Sequence, residues 1–568
     1  MSASSPLARA GVAPGKRIVR LMGLKVVGCA AASVLLLLLF IGSAWAQQES
    51  LGDYARKQRS GKSAGVVIYG DDIGRLFKSM DEVTKFSVED SGFPKLAPIP
   101  RKLIGKTEAE KHFRDEGEAE AKHGHRIDES EVVLKKFGLL PANFSLDEEL
   151  GDITLSGLAG FYDPRDRTMY LLNWIDPDTQ KMVMAHELTH ALQDQNFHLL
   201  NFDVLPKPQP GEKKEMKSKD SKEEMMLARR AMVEGQAELV GEDYEAREYG
   251  LSLKEEWVRD VATSMLKSSY ELPVTLHNAP RLLRESMIFP YREGLIFELA
   301  VFSRGGREMA FRNAFSRPPA DTHQILQPES YLKHEPPARV VIGDLAPILG
   351  KDYEAYDSGS VGEFDVQVMS EEFGRENDIY SVAREWNGGS YVAMKRAGLP
   401  AGAEVKTADL ALVYVSRWKT RRAAERFSQI YLDGLVKRIA LTNLNKDRCL
   451  EEPCSRALWE AHAASAEGPV HIELWPGNLV IITQSVDDTR MQALRPFLLT
   501  GAKSARAAAG PQQASQPEQQ GADQAELTQL DLASRLFAMP KFAALSHQVG
   551  LGIGAKLHQE LERRQHEY

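Results

Sequence analysis

The stretch Met184-Ala185-His186-Glu187-Leu188-Thr189-His190-Ala191-Leu192-Gln193 decides how the rest of the sequence is interpreted. Its apolar residues recur at the spacing of one side of an α-helix, so the stretch predicts a helix. Two histidines four residues apart on a helix project from the same face, about 6 Å apart along the axis. Because their imidazoles can converge on one tetrahedral Zn²⁺, we expect His186 and His190 to be metal ligands.

Glu187, beside the first histidine, has the chemistry of a general base. Water at neutral pH is a poor nucleophile, and zinc lowers its pKa from about 15.7 towards about 7. A carboxylate next to the metal can accept a proton from zinc-bound water and later pass it to a leaving amine. We therefore expect Glu187 to be the catalytic residue of a hydrolase with one Zn²⁺ per chain.

The surroundings of the motif argue against an ordinary amphipathic helix with two surface or core histidines. Asp176-Pro177 supplies an N-cap and a proline at the first helical position. Before it, residues 158–172 predict a β-hairpin around the turn Asp163–Asp166. A second helix is predicted over residues 222–249, after a charged insertion over residues 206–219.

The second helix offers two acidic residues for the third protein ligand that a catalytic zinc needs. A third-histidine extension would require glycine at Gln193 and histidine at Asn196, so the metzincin pattern is excluded. Glu234 and Glu238 share a helix face, so one can bind metal while the other holds a ligand histidine in the right tautomer. We favour Glu234 as the ligand because Gly235 beside it allows helices to approach closely.

The two motifs together resemble the gluzincin class of zinc metallopeptidases. That class pairs HExxH with a glutamate on a later helix, and a second acidic residue four positions on commonly orients a ligand. The chain is also similar to uncharacterised bacterial secreted metallopeptidases, closely over residues 135–345 and loosely over residues 346–500. The matching stretches are Gly160–Pro164, His186–Phe197, Glu234-Gly235, Pro290–Gly294 and Arg317–Pro328.

The sequence departs from this pattern at two places. The gap from His190 to Glu234 is longer than in thermolysin-like enzymes, and the charged insertion lies within this gap. Gln327 also stands where such sequences are expected to carry histidine. The resemblance therefore assigns no role to position 327.

The resemblance implies a zincin-like α+β fold and a peptide or protein substrate. In gluzincins the strand before the zinc helix forms the sheet edge along which a peptide lies, and the hairpin over residues 158–172 is placed to bind one by strand addition. A donor for the developing oxyanion is also required. The candidates, each of a type more often found in packing than in catalysis, are Tyr291, His323, Tyr162 and Tyr170.

Residues 1–46 have the pattern of a signal peptide. A basic stretch without acidic residues precedes the apolar run Val26–Ile41, and Gly42–Ala46 provides small residues for cleavage after Ala46. An uncleaved anchor is the alternative, because the run approaches the roughly 20 residues that span a bilayer. In both cases we expect the remainder outside the cytoplasm, periplasmic or extracellular, with membrane contact only if the segment is retained.

Cys449 and Cys454 are the two cysteines of the exported part. In an oxidising compartment this pair predicts a disulfide that closes a short loop. Two unpaired small residues are the alternative. Two cysteines alone cannot form a structural zinc site.

Composition and charge exclude several classes of protein. The 568 residues are 43% hydrophobic and 27% charged, which excludes a wholly disordered chain, a collagen and a polytopic membrane protein. The formal net charge is −9, and no basic stripe with interleaved aromatic residues occurs, so we expect no nucleic-acid binding. The length predicts several domains. We expect residues 1–46 as the signal peptide or anchor, 47–134 as a charged helical region, 135–345 as the metallopeptidase-like domain, 346–502 as an α+β domain, 503–525 as a flexible linker and 526–568 as a helical tail.

Two functional classes stay open on the sequence alone. The first is an exported zinc-dependent peptide hydrolase, and the second is a non-catalytic exported binding or assembly protein on a peptidase-like scaffold. A scaffold without activity has no need of a general base. The presence of Glu187 together with a complete ligand set therefore favours the hydrolase.

Overall fold

The computed structural model describes residues 71–112, 127–145, 160–175, 179–202, 222–268, 279–336, 339–374, 379–400, 402–451 and 453–504. All of them belong to one compact unit. Among these residues no helix is both long and apolar enough to cross a membrane. The predicted signal segment, the N-cap at 176-177, the charged insertion, the helical tail and all of the linker beyond residue 504 lie outside the described residues.

Helices dominate the first part of the described chain. Apolar side chains at helical spacing, such as Met184, Leu188 and Leu192, are buried against neighbouring helices. The helices are α1 (Asp71–Ser91), α2 (Ile127–Phe137), α3 (Thr179–Phe197), α4 (Leu199–Phe202), α5 (Lys222–Glu248), α6 (Glu256–Ser268), α7 (Arg281–Glu308), the π-helical turn Met309–Asn313, α8 (Ala314–Ser316), α9 (Thr322–Leu326) and α10 (Pro328–Leu332). The two motif-bearing helices predicted from the sequence are α3 and α5, and they pack against each other.

A three-stranded sheet precedes α3 and contains the predicted hairpin. Its strands are β1 (Arg101–Ile104), β2 (Gly160–Asp163) and β3 (Thr168–Leu172), in the order β1-β3-β2. β2 and β3 are antiparallel, whereas β1 pairs with β3 in parallel. The expectation that the strand directly before the zinc helix lies at the sheet edge is therefore wrong. β3 is central because the distant β1 occupies its other side, and the hairpin contributes its edge through β2.

The last part of the described chain forms a seven-stranded antiparallel sheet with helices. The strand order is β4-β5-β6-β10-β9-β8-β7, and every neighbouring pair is antiparallel. β9 and β10 form a hairpin whose turn places Gly477 and Asn478 at positive φ. The elements are α11 (Ala346–Leu349), β4 (Tyr353–Ser360), α12 (Glu363–Phe373), α13 (Ile379–Ala383), β5 (Trp386–Arg396), β6 (Leu410–Trp418), α14 (Arg421–Arg438), β7 (Thr442–Arg448), β8 (Trp459–Ser465), β9 (Gly468–Trp475), β10 (Leu479–Gln484) and α15 (Asp488–Ser504).

The hydrophobic core runs without interruption from the helical part into the large sheet. One cluster of buried residues contains Leu188 of α3 and Leu295 of α7 together with Tyr414 of β6. A second cluster covers the opposite face of the sheet, where Val413 packs with Leu494 of α15. The protein is thus of the α+β class. The predicted boundary at 345/346 separates two groups of elements, but these groups share one core.

α5 and α7 cross at two glycines. A Cβ built on Gly235 would overlap the backbone of Gly294, and a Cβ on Gly294 would overlap the carbonyl oxygen of Ala231. Gly235 therefore allows a close helix approach, as its sequence context suggested, but the partner is α7 rather than the histidine-bearing α3. This crossing brings Tyr291, one turn before Gly294, to the ring of His186.

We expect Gly294→Ala to destabilise the protein by about 1–3 kcal/mol or more, because the added methyl meets backbone that cannot move aside. Gly74→Ala is the matched control, since Gly74 is also helical and a Cβ there meets nothing within 4 Å. That control should gain about 0.5–1 kcal/mol from helix propensity. Denaturant unfolding of the two variants measures both effects, and equal stabilities would contradict the close crossing.

Candidate metal centre

α3 is buried on nearly all sides, so its polar side chains need partners inside the protein. Thr189 and Gln193 are fully buried, and His186 and His190 are each only 8% exposed. A buried polar group without a partner costs about 1–3 kcal/mol. The contacts of the two rings therefore decide what this part of the molecule can do.

Three ligand-type atoms converge between α3 and α5. Nε2 of His190 lies 3.0 Å from Nε2 of His186 and 3.1 Å from Oε2 of Glu234. Nε2 of His186 lies 3.3 Å from the same carboxylate oxygen. This is the placement that the four-residue spacing of the histidines and the position of Glu234 indicated.

A relay of side-chain amides sets the tautomer of His190. Gln236 donates through Nε2 to the carbonyl oxygens of Ala310 and Phe311 in the π-helical turn, so its Oε1 faces Gln193. Gln193 donates through Nε2 to that oxygen and to the carbonyl of Val233, and its own Oε1 lies 2.8 Å from Nδ1 of His190. Nδ1 of His190 must therefore carry the proton. In a neutral ring, Nε2 then presents a lone pair.

Glu238 sets the tautomer of His186 in the same way. Its Oε1 lies 3.2 Å from Nδ1 of His186, which donates to the carboxylate. Nε2 of this ring then also carries a lone pair, and it faces the lone pairs of His190 and Glu234. Three acceptors that meet at 3.0–3.3 Å repel one another unless a cation lies among them, either a proton or a metal ion.

The charges around the centre also favour a cation. Burial by itself lowers the pKa of His186, but its hydrogen bonds to Glu234 and Glu238 outweigh this effect and hold the pKa well above its ordinary value. Burial raises the pKa of Glu234, yet His190, His186 and Arg230 together hold it well below its ordinary value. Arg230 reaches the outer oxygen of Glu234 at 3.5 Å. The carboxylate is therefore ionised and available as a ligand.

Glu187 is held between α3 and the edge strand β2. Its side chain is 1% exposed, and its Oε2 accepts a hydrogen bond of 2.9 Å from the backbone N–H of Tyr162. This bond fixes the carboxylate directly after the first histidine of the motif. A hydrogen bond thus joins the sheet edge to the expected base.

Of the four proposed oxyanion donors, the described contacts bring only Tyr291 to the histidines. Its ring stacks on that of His186, with centroids 6.2 Å apart, and is 1% exposed. The hydroxyl of Tyr162 donates instead to Asp194 at 2.9 Å, and burial together with this carboxylate raises the pKa of the tyrosine.

The other two candidates have different partners. The hydroxyl of Tyr170 donates to Asp166 at 2.6 Å. Nδ1 of His323 pairs with Glu363 of α12, and its Nε2 lies 3.4 Å from Nζ of Lys419. These two residues belong to other polar clusters.

Several residues of the centre were not singled out from the sequence. Gln193 lies three positions after His190 on the same helix, which is a usable signal for a side-chain partner. Gln236 and Arg230 could not be recognised, because their roles depend on the π-helical turn and on which side of α5 faces α3.

The expected disulfide between Cys449 and Cys454 is present, in the segment between β7 and β8.

Comparisons of the chain with models of protein families, with curated proteins and with solved structures found no match. The chemistry of the centre is therefore argued from its own atoms. The ligand set consists of two imidazole nitrogens and one carboxylate oxygen, and these are the atoms that catalytic zinc sites commonly use.

We expect Glu234→Ala to abolish stoichiometric Zn²⁺ binding, because two histidines alone hold the metal poorly. Glu238→Ala should keep the metal with an affinity about 10–100-fold lower, since it removes only the partner of Nδ1 in His186. Zinc titration of the two variants measures both effects. If the Glu238 variant alone fails to bind metal, the two roles are reversed, and if both bind like wild type the ligand lies elsewhere.

Proposed function

We propose that this protein is an exported zinc-dependent peptide hydrolase with a zincin-like, gluzincin-type site. The observation that carries the proposal is the meeting of three ligand atoms, from His186, His190 and Glu234. Glu187, the residue next to His186 in the sequence, is buried and bonded to β2. Converging lone pairs suit a metal ion, and an adjacent carboxylate suits proton transfer. A structural metal site would need no such base.

The three side chains fit zinc in number and kind. Three protein ligands leave a fourth coordination position open, as catalytic zinc requires. When bound there, zinc supplies Lewis acidity towards a carbonyl oxygen and a water of lowered pKa. Glu238 and Gln193 keep both rings in the tautomer that presents Nε2, so the site is organised before the metal arrives.

Glu187 would move the proton in the reaction. As a carboxylate it accepts a proton from the attacking water, and as a carboxylic acid it returns this proton to the leaving amine. Its hydrogen bond from the N–H of Tyr162 holds the carboxylate in place through Oε2. Tyr291, packed on His186, is the proposed donor to the oxyanion.

A peptide substrate is supported by the position of β2. This strand is at the outside of the three-stranded sheet, and it is the strand that bonds to Glu187. An extended peptide that pairs with a sheet edge presents its backbone at regular intervals, without regard to side-chain identity. Pairing with β2 would carry the scissile bond past the base.

Export is the part of the proposal that rests on the N-terminal sequence and on the disulfide. A basic stretch, an apolar run and a small-residue cleavage pattern precede residue 47. Cys449 and Cys454 are joined in the structure, which suits an oxidising compartment. Both observations agree with function outside the cytoplasm.

Glu187→Gln tests the mechanism. We expect the variant to bind Zn²⁺ like wild type and to lose hydrolysis of a mixed peptide library by about 100–10,000-fold, because the amide cannot accept the proton. Glu82→Gln is the control, since Glu82 is an exposed glutamate of α1 whose ion pair within the described part of the chain is with Lys78, and the change should leave the rate unchanged. Near-normal activity of the Glu187 variant would overturn the mechanism. A wild-type protein that binds zinc but hydrolyses nothing would instead indicate the binding protein.

Mass spectrometry of the protein from its native host tests export. We expect a mature N-terminus at Gln47 and no free thiol at Cys449 or Cys454, because a signal peptidase would cut after Ala46. Alkylation before and after reduction measures the thiols. An intact N-terminal segment would favour the retained anchor, and two free thiols would contradict the oxidising compartment.

A further inference from the structure

A second cluster of metal-ligating side chains lies on β8 and β9, far along the chain from the first. In this antiparallel pair Glu460 is opposite Glu473, and His462 is opposite His471. Residues two apart on a strand, and residues directly opposite across a ladder, lie on the same face of a sheet. The four side chains therefore form one patch.

The two histidines lie in a row of contacts that runs from the carbonyl oxygen of Val486 to the carboxylate of Glu460. Nε2 of His471 lies 3.2 Å from the carbonyl oxygen of Val486. Nδ1 of His471 lies 2.7 Å from Nδ1 of His462. Nε2 of His462 in turn lies 3.4 Å from Oε2 of Glu460. The first two contacts are hydrogen bonds, each with one proton between two acceptors, and the third is an ion-pair distance between His462 and a carboxylate.

Two neutral imidazoles carry two protons, and the two hydrogen bonds use both of them. Nε2 of His471 must donate to Val486, because a carbonyl oxygen only accepts. Nδ1 of His471 then accepts from Nδ1 of His462, which leaves Nε2 of His462 as a lone pair against a carboxylate. A lone pair of His462 and a carboxylate oxygen of Glu460 therefore face each other 3.4 Å apart, and a cation between them would relieve their repulsion.

The carboxylate of Glu473 completes the surroundings of this position. Ligand atoms of Glu460, His462 and Glu473 all lie within 4.8 Å of one another. Arg495 and Trp475 donate to the oxygens of Glu473, and Arg456 donates to Oε1 of Glu460. Oε2 of Glu473 accepts from both Trp475 and Nε of Arg495, so its two lone pairs are used, whereas Oε1 accepts mainly from Nη2 of Arg495 and only at 3.3 Å from Nε. Oε1 of Glu473 and Oε2 of Glu460 are therefore the oxygens that can face a cation.

We propose that Glu460, His462 and Glu473 hold a second divalent transition-metal ion of the zinc class. His471 is a positioning residue, because its acceptance of the Nδ1–H of His462 turns Nε2 of that ring towards Glu460. Glu473 is fully buried, whereas the side chains of His462 and Glu460 are 34% and 21% exposed. The ion can therefore enter from solvent. This site does not depend on the proposed peptidase activity.

Zinc stoichiometry of the full chain tests the second site. We expect two equivalents of Zn²⁺ for wild type, one for Glu234→Ala, one for His462→Ala and none for the two changes combined. Glu460→Gln should also remove the second equivalent, and His471→Asn should weaken it about 10–100-fold. In the Glu234→Ala background, zinc should change the emission of Trp475, whose indole N–H donates to Glu473.

His334→Asn is the matched control, because His334 is an exposed histidine at positive φ that asparagine tolerates. It should bind zinc like wild type. A wild-type stoichiometry of one that His462→Ala leaves unchanged would overturn the proposal, and would place a proton on His462 instead. A second equivalent that persists in both His462→Ala and Glu460→Gln would overturn it equally.

Discussion

The orientation of two buried amides is the constraint on which the centre between α3 and α5 depends. Gln236 can bond to the carbonyl oxygens of the π-helical turn only through its nitrogen, and this choice determines how Gln193 and then His190 must be turned. A π-helical turn is uncommon, and such turns are frequent at functional sites. Here its carbonyl oxygens fix one end of a chain of hydrogen bonds that runs through Gln236 and Gln193 to Nδ1 of His190. The backbone of one helix thereby selects the tautomer of a side chain on another.

Burial acts in opposite directions on two glutamates of the same helical part. Glu234 is surrounded by two histidines and Arg230, so its pKa is well below the ordinary value in spite of burial. Glu298 on α7 is fully buried, has no hydrogen-bond partner among the described residues, and has a pKa raised well above the ordinary value by burial alone. Burial alone therefore does not decide whether a glutamate is charged, because the groups around it decide its pKa. Of these two glutamates, only Glu234 is surrounded by groups that favour the ionised form, which is the form that binds metal.

The sequence indicated most of the local structure and the central atoms of the site. Histidines four residues apart on a helix share a face whatever the tertiary fold, so His186 and His190 could be paired without a structure. The same argument placed Glu234 and Glu238 together. The position of β1 could not be found this way, because four residues far upstream carry too short a pattern to show which strand they join. The partner of Gly235 was equally inaccessible, since a glycine predicts a close approach without naming the helix that makes it.

The apolar run in β6 is an example of a sequence pattern that indicates burial on both faces of a strand. Leu412 and Tyr414 face one core cluster, and Val413 faces the other, so a strand without polar alternation is covered on both sides. The pattern could show that two layers were present, but not that one of them includes the helices that bear the histidines.

The shared core has a consequence for how this protein can vary. A unit that folds alone can be exchanged, duplicated or lost without harm to its neighbours. Here Tyr414 of the large sheet belongs to the same buried cluster as Leu188 of the histidine-bearing helix. The sheet is therefore part of the packing that supports α3 rather than a separate attachment. Inheritance would keep the two halves together, and a substitution deep in the sheet would be selected through its effect on the centre between α3 and α5.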